Sequence, residues 1–270
     1  MPGIGLDSFS YHLHLDDADH PRDAFWFLRR ILDLKLNGCS FSPKHLRGWD
    51  ESLIRDVGAF CQHHDLYLEL ASSASDYARL CRRLILCSEV GARMLRTHIA
   101  QVPEVSEVQR SVHLSLAIEN LKRLSEVAEC VGVVLGIINR PDLTAAELAG
   151  ILHRVGSPFV RASFCNAEAL AAREDPLEAA SALAPYIGAV MLRDLRVRDE
   201  SGQLANEACI FGQGDGRIGE VFVILSRDCP KAPVTLAPRH ALQSLEEEEA
   251  HVRQSVEFVR ELDKHRVLVR

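Results

Sequence analysis

Ten polar residues of this 270-residue chain stand at or just after the ends of short apolar runs, and their types are those that bind ligands or react. Imidazoles and carboxylates transfer protons or hold metals, and guanidinium groups pair with anions. The ten candidates are His12, His14, Glu69, His98, Asn139, Arg140, Glu168, Arg193, Asp194 and Arg239. Their positions predict one ligand-binding mouth, because reacting groups gather where parallel barrel strands end.

Three arginines follow three of the last four apolar runs: Arg140, Arg193 and Arg239. They predict, together with Asp194, a mouth that recognises an anionic or polyhydroxylated ligand, since a guanidinium fork suits carboxylate and phosphate. A structural alternative stays open for these side chains. Arg193 would then form an ion pair with Asp194, and Arg239 would pair with a carboxylate of a loop.

A metal site is the second kind of chemistry that the spacing allows. His12 and His14 lie on one side of an extended segment, and two imidazoles are half of a typical transition-metal site. Glu69 and His98 would complete it. In the structural alternative, residues 11–14 simply end the first strand, and His98 is a hydrogen-bonded histidine of the scaffold.

Composition excludes several classes of protein. The formal net charge is −7, from 31 basic and 38 acidic residues, so we expect no nucleic-acid partner. No apolar run approaches the roughly 18 residues of a membrane span, so we expect no membrane partner. The eight cysteines form no C-x-x-C pair and predict reduced thiols in a cytoplasmic protein. Residues 214–219 match G-x-G-x-x-G, but they follow a long loop rather than a first strand, so we predict no dinucleotide site.

Two sequence signals alternate along the whole chain: apolar runs typical of buried strands and stretches with helical periodicity. Strands are predicted to begin near Ile4, Cys39, Leu66, Met94, Val133, Phe159, Ala189 and Val234. Helices are predicted at 21–36, 50–64, 75–90, 107–131, 144–155, 176–184, 217–226 and 244–264. A strand and its helix recur about every 33 residues, and eight such units predict one α/β domain, a (β/α)8 TIM barrel over residues 1–270.

Local signals mark several helix ends. Thr144 and Glu147 have the spacing of a capping box, and Asp175 before Pro176 is a typical N-cap. Asn37-Gly38 is predicted to end the first helix in the left-handed conformation. These signals indicate helix boundaries independently of the periodicity.

Several motifs of the chain resemble those of one family. They are Leu6–His12 (LDSFSYH), Gly91-Ala92-Arg93 leading to Leu95-Arg96, Asp142-Leu143-Thr144, Asp175–Ala179 (DPLEA) and Leu183–Ile187 (LAPYI). The sequence is similar to sugar phosphate isomerase/epimerase proteins, which are xylose isomerase-like TIM barrels. The resemblance implies isomerase, epimerase or lyase chemistry on a sugar-type substrate.

The resemblance also implies a divalent metal held by Glu, Asp, His and Glu from four successive strand ends. At the matching positions this sequence has Ile138, Cys165, Met191 and Ala237. Hard divalent cations bind carboxylate, carbonyl or imidazole groups, and one thiol does not hold them alone. Arg140 stands beside these positions and would repel a metal. We therefore predict no metal at the family position and no cofactor.

Three functions remain open from the sequence. The first is a divergent, metal-free barrel that binds a small polar or anionic, sugar-like ligand at its mouth. The second is a pseudoenzyme, a non-catalytic partner or structural subunit that associates with itself or with a paralogue. The third is an isomerase or epimerase with a metal relocated to His12, His14 and His98. Resemblance of fold does not choose a substrate, and whether the chain is catalytic stays open.

Overall fold

The computed structural model of the chain describes residues 3–17, 22–99, 106–200, 203–239 and 244–267. Eight parallel strands close into a barrel. They are β1 (Ile4–Asp7), β2 (Gly38–Phe41), β3 (Tyr67–Ala71), β4 (Met94–Thr97), β5 (Val134–Ile138), β6 (Val160–Cys165), β7 (Ile187–Leu192) and β10 (Val234–Leu236). Their spatial order is β1-β10-β7-β6-β5-β4-β3-β2. The predicted (β/α)8 barrel is confirmed.

Helices connect the strands and cover the outside of the barrel. They are α1 (His12–Asp16), α2 (Ala24–Asp33), α3 (Glu51–His63), α4 (Tyr77–Glu89), α5 (Glu107–Val131), α6 (Ala145–Val155), α7 (Asn166–Ala171), α8 (Pro176–Leu183), α9 (Ile218–Asp228) and α10 (Leu245–Val267). Short 3-10 helices cover Ser8–Tyr11 and Ala184–Tyr186. The sequence missed α1 and α7, because five or six residues are too few to show a helical repeat.

An antiparallel hairpin is inserted between β7 and α9. Its strands are β8 (Leu195–Glu200) and β9 (Gln203–Ala208), which pair with each other and not with the barrel. The sequence analysis did not predict it, although Leu195 and Val197 alternate with arginines at the period of a half-buried strand. The hairpin lengthens the loop that follows β7 at the mouth of the barrel.

The chemical state of the cysteines agrees with the sequence analysis. All eight are free thiols. A separate finding concerns membranes: none of the helices in the described ranges has the length and apolarity to cross one.

The predicted caps form at two helix starts. The hydroxyl of Thr144 accepts a hydrogen bond from the Glu147 N–H, and the Glu147 carboxylate accepts one from the Thr144 N–H. The Asp175 carboxylate accepts from the N–H groups of Leu177 and Glu178. These bonds satisfy N–H groups that lack partners inside the first turn of a helix.

Tyr67 fills the barrel interior next to two strands that carry glycine. Its hydroxyl lies 3.3 Å from the Thr235 hydroxyl and donates to the Val234 carbonyl at 3.4 Å. A Cβ added to Gly38 would lie 2.3 Å from the Tyr67 ring. The predicted left-handed turn at Asn37-Gly38 is therefore wrong: Gly38 begins β2, and the positive φ of 49° lies at Lys35.

Replacing Gly38 with alanine tests this packing. Gly38→Ala forces a methyl group against the Tyr67 ring, and we expect overpacking to lower the free energy of unfolding by about 1–3 kcal/mol. Urea denaturation monitored by circular dichroism measures the change.

A matched glycine lies in the middle of α6, where nothing is within 4 Å of an added Cβ at Gly150. Gly150→Ala is expected to raise the free energy of unfolding by about 0.5–1 kcal/mol, because alanine favours the helix. Equal effects of the two substitutions would contradict the packing argument.

Candidate functional site

A cavity of about 280 Å³ opens at the C-terminal end of the barrel. Four arginines contribute to its wall: Arg96, Arg140, Arg193 and Arg239. Each of them has a buried Nε atom that finds no hydrogen-bond partner among the described residues. Unpartnered buried N–H groups are rare in folded proteins, so four around one cavity mark it as a site for an oxygen-rich ligand or ordered water. We call this space the mouth cavity.

Asp7 and Arg96 form a buried ion pair at the wall of the mouth cavity. Arg96 Nη2 lies 2.9 Å from Asp7 Oδ2 and also donates to the Ser40 hydroxyl. Arg96 Nη1 lies 3.6 Å from the sulfur of Met191. The sequence analysis did not select Asp7 or Arg96 as candidates. The available signal was strand alternation, which turns Arg96 into the barrel while Leu95 faces the helices.

Glu69 lies one layer deeper in the barrel than the mouth cavity. Ala71, two residues further along β3, lines the cavity, and Glu69 itself is fully buried. Both carboxyl oxygens lack a hydrogen-bond partner in the described part of the chain, and Arg93 Nε is 4.0 Å away. Burial raises the pKa of Glu69, although Arg96 and Arg93 oppose the shift. The structure thus places this predicted candidate in the interior and not on the cavity wall.

Arg193 pairs with Glu168 rather than with its neighbour Asp194. Arg193 Nη1 lies 3.2 Å from Glu168 Oε1, and both residues line the mouth cavity. Arg140 is 3.6 Å from Asp142, too far for a hydrogen bond. The sequence alternative of an Arg193–Asp194 pair is therefore wrong, and Glu168 lies on the cavity wall.

Asp194 holds the loop that follows the hairpin. Its carboxylate accepts hydrogen bonds from the backbone N–H groups of Gly212, Gly214 and Gly216 at 2.8, 3.2 and 3.0 Å. A Cβ at Gly214 or Gly216 would approach Asp194 Oδ1 to 2.4 or 2.6 Å. Burial raises the pKa of Asp194 against the effect of these bonds. The glycine motif is thus explained by the close approach of the loop to one carboxylate.

Arg239 has no carboxylate partner in the described part of the chain. Its guanidinium carbon lies 3.9 Å from the centre of the Phe9 ring, a cation–π contact. Burial, and then the positive charge of Arg193, lower the pKa of Arg239 to about 10. The loop carboxylate that the sequence alternative expected is not found in the described residues. Arg239 is thus a cation at the mouth that forms no ion pair within the described ranges, although the charges of Asp7 and Glu168 act to raise its pKa.

Asn139 and Cys165 join the ends of two neighbouring strands. The Asn139 side chain donates to the Cys165 carbonyl at 3.0 Å and accepts from the Cys165 N–H at 2.7 Å. Asn139 is buried, so it positions β5 against β6 and does not face the ligand space. Burial raises the pKa of the Cys165 thiol, which removes thiolate character. His98, in contrast, lines the mouth cavity.

His12 and His14 contact one buried carboxylate of the last helix. Their Nδ1 atoms lie 3.1 and 2.6 Å from the Glu248 carboxylate oxygens. The backbone N–H groups of Leu13 and His14 also donate to Glu248. His12 stacks on Phe9 at 5.2 Å, and His14 stacks on Trp26 at 4.6 Å. We call this arrangement of His12, His14 and Glu248 the clasp.

The four positions that resemblance assigns to metal ligands lie together. Cys165, Met191 and Ala237 form a small apolar cluster against which Ile138 packs. This donor set does not fit a hard divalent cation, because it offers one buried thiol and one thioether. In the described ranges, no three His, Cys, Asp or Glu side chains converge as a metal site.

Comparison with known proteins extends these observations. A family model described as "Xylose isomerase-like TIM barrel" matches residues 28–262. The uncharacterized protein YihM of Escherichia coli (strain K12) is 27% identical over 216 residues, which are 78% of this chain and 64% of that protein. The chain therefore spans less than two thirds of the length of this relative.

Solved structures of sugar epimerases share the fold. D-psicose 3-epimerase from Clostridium cellulolyticum H10 superposes with a TM-score of 0.75 and 11% identity, over 96% of this chain and 99% of that chain. The 3-keto-D-glucoside 4-epimerase YcjR of E. coli gives 0.72 and 15% identity, over the same shares of the two chains. At this identity the likeness concerns the fold alone.

The clasp yields a prediction on stability. Burial opposes ionisation of Glu248, but the two histidines and the backbone N–H groups outweigh it, so the pKa of Glu248 is lowered. Glu248→Gln is expected to cost about 1–3 kcal/mol at pH 7, because it removes charge-assisted hydrogen bonds. Since folding lowers this pKa, the full difference in the free energy of unfolding between Glu248→Gln and the unsubstituted protein is expected above about pH 4.3. The difference should shrink at lower pH, as the carboxyl of the unsubstituted protein is protonated.

Glu246 supplies the control, because it is an exposed carboxylate in the same first turn of α10. Glu246→Gln is expected to change the free energy of unfolding by less than about 0.5 kcal/mol. Urea denaturation at pH 7 and pH 3.5 measures both variants. If Glu248→Gln lowers the free energy of unfolding by the same amount at both pH values, the role given to the ionised carboxylate is refuted.

Proposed function

The chain belongs to the xylose isomerase-like TIM-barrel family, and we propose that it binds a small anionic, sugar-like ligand in the mouth cavity without a divalent metal. The observation that carries the proposal is the set of four arginines around the cavity whose buried Nε groups lack hydrogen-bond partners among the described residues. Guanidinium groups form paired hydrogen bonds with carboxylate and phosphate oxygens. A ligand with either group would satisfy donors that the protein leaves unused.

Charge balance in the mouth cavity supports an anion. The Arg96 charge is balanced by Asp7, and the Arg193 charge by Glu168. Arg239 forms no ion pair in the described ranges, and burial together with the charge of Arg193 lowers its pKa more than the charges of Asp7 and Glu168 raise it. Placing a partly buried cation next to another cation costs free energy, and an anion bound between the two would offset that cost. The anionic end of the ligand is therefore assigned to Arg239 and Arg193.

Hydroxyl groups of the ligand have partners on the other side of the cavity. Ser42, Ser72 and Thr97 line it with hydroxyls, and Asp7 and Glu168 supply acceptor oxygens. Pockets for drug-sized ligands have volumes of about 300–1,000 Å³, so a cavity of about 280 Å³ suits a single sugar unit. A small sugar acid or sugar phosphate meets both requirements.

The metal-free part of the proposal rests on the donor set. Ile138 and Ala237 offer no lone pairs, and Arg96 already places a positive charge beside Met191. A divalent cation would meet repulsion there without the carboxylates that offset it elsewhere. Any isomerase, epimerase or lyase chemistry at this mouth then depends on titratable groups of the chain, of which His98 and Glu168 line the cavity.

One observation favours the alternative of a non-catalytic partner subunit. Val108, Val112 and Leu116 recur every four residues on α5, and their side chains are 74%, 54% and 59% exposed. Exposed apolar side chains on one side of a helix are a feature of surfaces that contact other proteins. The ligand experiments below separate the two functions.

Anion binding is tested by thermal unfolding with glucuronate and glucose 6-phosphate, which carry a carboxylate and a phosphate. A ligand at about one hundred times its Kd adds about 2.7 kcal/mol to the free energy of unfolding. We expect stabilisation by at least one of the two anions and none by neutral glucose. Arg239→Met should abolish this response while leaving the unliganded protein as stable or more stable, because it removes an unpaired cation.

Arg227→Met is the matched control, since Arg227 is an exposed arginine paired with Asp228 away from the mouth. It should retain the response to the anion. No stabilisation of the unsubstituted protein by either anion would overturn the proposal and favour the alternative of a partner subunit. Sedimentation analysis would then measure the mass of the assembly that the chain forms.

The metal-free state is tested by elemental analysis of dialysed protein and by thermal unfolding with Mn2+, Mg2+, Co2+ and Zn2+. We expect less than about 0.1 metal ion per chain and no saturable stabilisation by any of the four, because the donor set lacks carboxylates. Stoichiometric metal, or saturable stabilisation by Mn2+, would contradict the proposal. The variant His12→Gln would then report whether the metal has been relocated to the clasp.

A further inference from the structure

A second, mostly apolar cavity lies beside the mouth cavity, between α4, α5 and the end of β4. Its volume is about 150 Å³. Leu80 of α4, Leu116, Ala117 and Leu121 of α5, and Ile99 after β4 form much of its wall, and we call it the side pocket. Apolar cavities of about this volume accommodate a benzene ring.

The mouth cavity and the side pocket share two wall residues, Thr97 and His98. Among the described residues, Thr97 and His98 therefore form the boundary between the two spaces. The Thr97 hydroxyl donates to the Ala74 carbonyl at 2.5 Å, which holds that side chain in place. Burial, and then the charge of Arg140, lower the pKa of His98, so its ring is neutral at pH 7.

We propose that the ligand is a conjugate: an anionic sugar in the mouth cavity joined to an apolar group of about one ring's size that occupies the side pocket. This inference rests on the proposed function, because the arginines must hold the sugar for the apolar group to reach the side pocket.

The distribution of charged side chains between the two spaces supports a ligand of this kind. The mouth cavity has four arginines and two carboxylates in its wall, whereas the side pocket has none of these groups. At about 280 Å³ the mouth cavity suits one sugar unit. Leu116 is more than half exposed, so an apolar group in the side pocket would remove its surface from water.

A pair of probes that differ only in the apolar group tests the inference. Isothermal titration calorimetry compares glucuronate with phenyl glucuronide on the full chain. We expect phenyl glucuronide to bind at least tenfold more tightly, because burial of a phenyl ring adds to the free energy of binding. Both affinities should fall at least tenfold in Arg239→Met.

Ala117→Phe is expected to fill the side pocket with a ring of the protein itself. It should remove the preference for phenyl glucuronide and leave the affinity for glucuronate within twofold. Ser111→Phe adds the same ring to an exposed position of α5 that lines neither cavity, and it should keep the preference. Leu116→Asn is a second variant that spares the buried core, and it should reduce the preference at least threefold.

The outcomes separate this inference from the function on which it rests. If glucuronate binds in an Arg239-dependent manner but phenyl glucuronide binds no more tightly, the inference is wrong and the proposed function stands. A preference that survives Ala117→Phe also overturns the inference. If neither probe binds, and glucose 6-phosphate fails as well, both are overturned.

Discussion

The buried ion pair between Asp7 and Arg96 is the interaction around which the mouth is organised. It joins β1 to β4 across the barrel, and the bond from Arg96 to Ser40 adds β2. Removing one partner of a buried pair leaves an uncompensated charge at a cost of about 3–5 kcal/mol, so the pair holds these strand ends together. It also places a guanidinium beside Met191, which occupies one of the positions that resemblance assigns to a metal ligand. In the proposed function, arginine charge thus takes the place of metal charge.

Arg239, to which the proposed function assigns the anion, is positioned by contacts between segments near the two ends of the chain. Arg239 follows the last barrel strand and rests on Phe9, which follows the first. Phe9 stacks on His12, and His12 contacts Glu248 of the last helix. The clasp therefore supports the Phe9 ring against which Arg239 packs. Glu248, which does not line the mouth cavity, is in this way linked to the geometry of the mouth.

Hydrogen-bond geometry explains why several candidates of one type have different roles. Asp194 and Glu168 both follow barrel strands, yet Asp194 accepts three backbone N–H groups whereas Glu168 pairs with Arg193 on the cavity wall. His14 is closed off by Glu248 and Trp26, whereas His98 lines two cavities. Each pair shares its chemical type, two carboxylates in one case and two imidazoles in the other. The partner that reaches the side chain from elsewhere in the chain makes the difference.

The sequence by itself determined the barrel, because strand alternation, helical periodicity and capping residues are local properties that repeat in every unit. It also determined that Arg140, Arg193 and Arg239 gather at one end, since parallel strands place their ends together. Only the tertiary structure decided that Arg96 and Asp7 meet inside the barrel and that Glu248 reaches His12 and His14. Likewise, only the fold shows that Arg239 has no ion pair with a loop carboxylate among the described residues. Ion pairs depend on distances of a few ångströms between residues far apart in sequence, and no local pattern encodes such distances.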